Sequence, residues 1–228
     1  MEVQAKAMYD ALILDVDGTL WDATETFAKA YSDASSELAS DFGISPHCFT
    51  AAEIRPELGK PTEIIFRNLY PELASRLPDP KADAAILALM NASIDREYEY
   101  IGTLGGRLYD GLAESVRILS ERLPLYIVSN CEKGYIESFL NFAGIRGCFS
   151  GWLCYGDTRR EKNDTLLQLA EQYQIRHGVY VGDTLHDAKC THLAGMDFIW
   201  ASYGFGNVPE EMADYTIVQF SDLLEIIS

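Results

Sequence analysis

Positive charge is scarce in this chain. Its 228 residues carry 18 Lys and Arg against 35 Asp and Glu, a formal net charge of −17, and no Lys/Arg cluster offsets the excess. A field of that sign repels phosphate backbones and anionic bilayers, so binding to nucleic acid or to a membrane surface is disfavoured. Long hydrophobic runs are missing too, since no stretch approaches the roughly 20 apolar residues of a membrane-spanning helix. Met1 to Tyr9 contains no apolar h-region, so neither export nor anchoring is expected. The five cysteines, Cys48, Cys131, Cys148, Cys154 and Cys190, are an odd number without C-x-x-C spacing. That argues against a disulfide framework and against a zinc site. Reduced thiols and a cytoplasmic location are the expectations. Low-complexity tracts are absent, while 48% of residues are hydrophobic and 11% aromatic, which describes a folded globular protein of one domain or of one domain carrying a smaller one.

Four short apolar runs stand out: Ala11-Leu12-Ile13-Leu14, Leu125-Tyr126-Ile127-Val128, Val179-Tyr180-Val181 and Phe198-Ile199-Trp200. Each reads as a buried strand. Between them apolar residues recur at helical spacing, as in Leu112, Val116, Leu119 and in Leu166, Leu169, Ala170, Tyr173. Alternation of this kind predicts an α/β fold, a Rossmann-like doubly wound parallel sheet with right-handed crossovers. Residues 22–101 break the alternation. They show a helical face of Phe27, Tyr31, Ala34, Leu38 and Phe42 stopped by Gly43, a second helix from Pro61 with Ile65 and Leu69 inward, and a third with Leu87, Met90, Ile94, Tyr98 and Ile101 inward. The expected organisation is a core of residues 1–21 and 102–228 with an inserted all-helical cap over 22–101. Glycine-bearing crossings near Leu20-Trp21-Asp22 and Gly102 to Gly111 suit a hinged lid.

Ligands of open α/β sheets bind beyond the carboxyl ends of the strands. The residues there are Asp15 and Asp17 in Asp15-Val16-Asp17-Gly18-Thr19-Leu20, Ser129 and Asn130, and Asp183 and Asp187 in Gly182-Asp183-Thr184-Leu185-His186-Asp187. Lys162 precedes a helix in a loop that can reach the same edge. Taken singly, Asp15 and Asp17 also suit an Asx turn, Ser129, Asp183 and Asp187 also suit a helix start, and the Asn130 amide can bond substrate or backbone. Together the carboxylates, hydroxyl, amide and lysine suit phosphoryl transfer through a covalent carboxylate intermediate with a magnesium ion.

On these motifs, in this order, the chain resembles the haloacid dehalogenase-like superfamily over nearly its whole length, and within it the phosphatases with a helical cap after the first motif, of the phosphoglycolate phosphatase type. The resemblance implies that Asp15 is the nucleophile and, with the backbone carbonyl of Asp17, a magnesium ligand. It implies that Asp17 is the acid and base, Ser129 a phosphoryl holder, Lys162 the charge-balancing cation, Asp183 a metal ligand and Asp187 its support behind it. Thr19 would brace the phosphate loop. In the cap, Arg55-Pro56-Glu57-Leu58-Gly59-Lys60-Pro61 resembles the loop that relatives place over the site, making Arg55 and Lys60 candidates for a second anionic group. The implied reaction is magnesium-dependent hydrolysis of a small phosphorylated metabolite by a monomer or homodimer. A phosphosugar mutase and a non-catalytic phosphometabolite-binding module are the alternatives. The family commonly has proline after the lysine, where this chain has Asn163.

Overall fold

The computed structural model describes residues 9–227. Its strands are β1 (Ala11–Leu14), β2 (Trp21–Asp22), β3 (Arg107–Leu108), β4 (Leu125–Ser129), β5 (Phe149–Cys154), β6 (Gly178–Gly182), β7 (Asp197–Ala201) and β8 (Tyr215–Ile217). Six form one sheet in the order β5-β4-β1-β6-β7-β8, with every pairing parallel. Flanked by helices, this is the expected Rossmann-like α/β fold. β1 lies between β4 and β6, with Leu14 beside both Ile127 and Val181. The turns after these three strands therefore open side by side at one sheet edge.

Two sheet strands escape the apolar-run criterion. β5 contains Ser150 and Gly151 and is covered on alternate residues only, as an edge strand is; Gly151 lies so close to Tyr173 that a Cβ there would sit 2.1 Å from its hydroxyl. β8 is three residues long with one buried. β2 and β3 pair antiparallel, Trp21 opposite Leu108, as a separate two-stranded ribbon. Between them run α1 (Thr24–Leu38), α2 (Ala51–Ile54), α3 (Thr62–Leu69), α4 (Pro71–Ala74) and α5 (Pro80–Thr103). α1 continues as a 3-10 turn over Ala39–Phe42 and stops at Gly43, whose φ of 69° is the left-handed conformation glycine adopts freely. The Asp79 side chain accepts from the Lys81 amide at the start of α5, with Pro80 in the first turn.

The buried stripe of α5 differs from the expected one. Leu87 is 51% exposed, and Ala82, Ile86, Leu89 and Ser93 face inward instead, while Ile101 is inward as expected. The helix has apolar residues on more than one face, so periodicity alone gives a direction one residue out of phase. Position 97 falls on the observed stripe.

The remaining helices are α6 (Leu112–Ser120), α7 (Tyr135–Ala143), α8 (Tyr155–Thr158), α9 (Lys162–Tyr173), α10 (Leu185–Leu193) and α11 (Leu223–Ile226). One apolar cluster runs from the sheet through Trp21, Tyr135 and Phe139 to Phe27, Tyr31 and Phe66 of the helical segment. Trp21 is fully buried and meets Phe139 edge-on at 4.8 Å. Among the described residues no helix is long and apolar enough to cross a membrane.

Candidate active site

The backbone amide of Asp15 donates to the Val181 carbonyl at 2.9 Å, which carries the β1–β6 ladder one residue past the strand and aims the side chain off the sheet edge. Gly18, at φ 82°, turns the chain back; a Cβ there would lie 2.2 Å from Asp183 Oδ2. Thr184 caps α10 in a capping box with Asp187: the Thr184 amide and hydroxyl donate to Asp187 Oδ2 at 2.9 and 2.6 Å. Lys162 is the first residue of α9 rather than part of a loop, and it is fully buried. Its ammonium lies 2.5 Å from Asp187 Oδ1 and 3.3 Å from Asp15 Oδ2. Of the neighbouring basic residues, Arg159 turns to Glu132 at 3.0 Å and Arg160 is exposed.

Burial works against the Lys162 charge, but Asp15 and Asp187 outweigh it and hold its pKa well above the ordinary lysine value. Burial raises Asp15 to about 6, with Lys162 and the Ser129 hydroxyl acting against that rise. Burial is the largest influence on Asp187 as well, yet Lys162 and Thr184 together hold it below the ordinary value. Ser129 and Asn130, at the end of β4, are both buried.

Asp15, Asp183 and Asp187 can each offer an oxygen within 4.8 Å of the others. Asp15 Oδ1 and Asp183 Oδ1 are buried and have no hydrogen-bond partner among the described residues. Burial, then Asp187 and Asp15, push Asp183 well above the usual carboxylate range. Two orphaned carboxylate oxygens repelling each other in a dry site fit a hard divalent cation. Asp187 belongs to the same group of acids. Both its oxygens are already engaged by Lys162 and Thr184, so it orients Lys162 and the α10 turn rather than presenting a free oxygen. Asp183 Oδ2 accepts from the Phe205 amide at 2.7 Å, which leaves Oδ1 as the open position.

Asp17 faces away from this group. The Tyr135 hydroxyl donates to Asp17 Oδ1 at 2.7 Å and the Trp21 indole N–H does so at 3.1 Å. Burial raises its pKa to about 8, with Asp15 and Glu97 adding to the rise and both hydrogen bonds reducing it. A cavity of about 50 Å³ lies between Asp15, Asp17, Ser129, Asn130 and the helical segment.

Four expectations meet the geometry in different ways. Lys60 lines the cavity, with its ammonium 2.7 Å from Glu57. Asn130 lines it too, but its amide donates to the Gly59 carbonyl at 2.8 Å, tying the core loop to the helical segment. Arg55 is not at the cavity: its guanidinium bonds Asp22 at 3.0 Å and Thr24 at 3.3 Å and lies over the Phe205 ring. Asp22 sits at the chain's exit into the helices and pairs with this arginine there. Thr19 is fully buried and its hydroxyl has no hydrogen-bond partner among the described residues. It lies off the cavity wall, and its carbonyl, accepting from Tyr203, does the bracing.

Sequence reasoning missed Tyr135, Trp21 and Glu97. Tyr135 bonds Asp17 from 118 residues away and leaves no local pattern, while Trp21 stands four residues after Asp17 and bonds it across the turn between them. Glu97 had a signal, a lone acid on the inward stripe of α5, hidden by the misplaced face.

The family model for haloacid dehalogenase-like hydrolases matches residues 12–201. The chain is 24% identical over 225 residues to a phosphoglycolate phosphatase from Photobacterium profundum, covering 95% of this chain and 94% of that one. It is 28% identical over 227 residues to one from Synechococcus elongatus, covering 96% and 97%. Among solved structures, a haloacid dehalogenase-like family hydrolase from Streptococcus pneumoniae superposes with a TM-score of 0.73 at 19% identity, covering 97% of this chain and 99% of that one. A structure described as a predicted phosphoglycolate phosphatase from Haemophilus somnus gives 0.80 at 18%, covering 96% and 98%. With the family model spanning β1 to β7 and the acids gathered at one sheet edge, the chain belongs to the haloacid dehalogenase-like hydrolase family.

Proposed function

We propose that this hydrolase is a magnesium-dependent phosphoric monoester phosphatase acting through an aspartyl-phosphate on Asp15. The observation that carries the reading is the division of labour between the buried Asp15 and the half-buried Asp17. Asp15 is paired with Lys162 and keeps a lower pKa, as a nucleophile requires. Asp17 is held protonated near neutral pH, as a general acid requires. The names of the curated relatives support phosphate-ester chemistry.

An Asp15 oxygen attacks phosphorus and the ester P–O bond breaks, while Asp17 gives its proton to the departing alkoxide. Tyr135 and Trp21 keep that carboxyl on the leaving-group side. Asp17, now ionised, takes a proton from water as the water oxygen attacks the aspartyl-phosphate, releasing inorganic phosphate and restoring Asp15. Ser129 and the backbone amides beyond β4 hold phosphoryl oxygens, and Lys162 offsets charge between Asp15 and phosphate. Magnesium, held by Asp15, Asp183 and the Asp17 carbonyl, would neutralise the acids and polarise the phosphoryl group. Residues 22–101 act as a lid, and the Asn130–Gly59 bond ties it to the core.

Asp15→Asn is expected to abolish phosphate release from p-nitrophenyl phosphate while circular dichroism and gel-filtration profiles stay those of the wild type. Retained turnover in that variant would remove Asp15 as the nucleophile.

A further inference from the structure

One carboxyl in the cleft has no task in phosphoryl transfer. Glu97 lines the cavity from the inward stripe of α5, beside Tyr31. Phe27, Tyr31 and Tyr135 wall the same space, Phe27 lying 6.2 Å from Tyr31 and 5.8 Å from Tyr135 between ring centroids. The acids lining it are Asp15, which Lys162 pairs, Asp17, Glu97 and Glu132, and Lys60 is the cation among its lining residues. Lys60 is engaged by Glu57, Arg159 engages Glu132, and Arg55 is held by Asp22. Glu97 has the Tyr31 hydroxyl as partner and Glu132 as a repelling neighbour, and no cation acts on it among the described residues. A leaving group with a carboxylate would thus meet an uncompensated acid, with both cap-loop cations already paired.

We propose that the substrate's leaving alcohol carries a cationic nitrogen, so that the enzyme prefers the phosphate monoester of a small amino alcohol. The ammonium pairs with Glu97 and lies against the faces of Phe27 and Tyr31, where cation–π attraction adds to the charge pairing. Its ester oxygen then lies toward Asp17, which protonates it as the P–O bond breaks. The small cavity restricts the alcohol to a few heavy atoms. This inference rests on the phosphatase reading and departs from the carboxylated substrate that the names of the relatives print.

The test compares kcat/KM of the magnesium-loaded enzyme for phosphoethanolamine, its neutral isostere propyl phosphate, phosphoglycolate and p-nitrophenyl phosphate. The expected order is amine, neutral, carboxylate, with the amine favoured over propyl phosphate by about tenfold or more. In Glu97→Gln the amine-to-neutral ratio should collapse toward one, and in Glu97→Asp much of it should return. Equal or faster turnover of phosphoglycolate than of phosphoethanolamine overturns the inference alone, as does a ratio that survives Glu97→Gln. The wild-type order can overturn the inference without any variant. Absence of turnover on all four esters overturns the phosphatase reading as well.

Discussion

At the scale of single residues, the site works by giving chemically identical acids different surroundings. Asp187 is saturated with donors and holds Lys162, Asp15 shares that lysine, and Asp183 keeps one oxygen bare. Asp17 and Glu97 have no cation and stay protonated to higher pH, burial being the main cause for both. For Glu97 the ordinary value of 4.5 rises to about 7. The folded protein then binds the proton more tightly than the unfolded chain, so stability falls as pH rises from 4.5 to 7 and is level above that. The loss is bounded at about 3 kcal/mol. Urea unfolding at pH 5 and pH 8, with magnesium present, should show Glu97→Gln gaining stability over wild type at pH 8 and little at pH 5. An equal difference at both pH values would mean that Glu97 titrates normally in the fold.

At the scale of elements, the site depends on close approach of backbones more than on any one helix. Gly204, after β7, lies against the phosphate loop: a Cβ there would be 2.3 Å from Asp183 Cβ and 2.4 Å from the Gly18 carbonyl oxygen. Neither neighbour is the end of a flexible side chain, so Gly204→Ala must push Asp183 and the β1 turn apart. A displacement near 1 Å costs about a hundredfold in rate. Turnover of p-nitrophenyl phosphate should fall by that order with far-ultraviolet circular dichroism unchanged; wild-type activity would show the loop absorbing the methyl group elsewhere. Local sequence does not say why glycine is needed after β7, because the neighbours that demand it, Asp183 and Gly18, are 21 and 186 residues away. α5 teaches the same lesson. Its existence and length are written in its helical spacing, but its rotation was fixed by packing against α1 and α7.

At the scale of the whole molecule, a net charge of −17 and a buried cluster of three acids sharing one lysine leave the metal-free protein with repulsion that Lys162 offsets only in part. Magnesium binding only the folded state should therefore stabilise it, by about 2.7 kcal/mol at a concentration 100 times Kd, or roughly 5–10 °C in Tm. A thermal scan with and without magnesium, then with excess chelator, should show the rise and its reversal. A Tm indifferent to magnesium would mean that Asp15 and Asp183 do not hold the ion. The sequence alone determined the fold class and the sheet edge at which Asp15, Asp17, Ser129, Lys162 and Asp183 gather. Those features depend on local periodicity and on turns directly after strands, which short stretches encode. Only the tertiary structure decided that Tyr135 and Trp21 grip Asp17, that Arg55 is spent on Asp22 and that Glu97 faces the substrate cleft. Apart from the Trp21–Asp17 bond, which spans four residues, each of those contacts joins residues far apart in the chain, and no local spacing records the packing that brings them together.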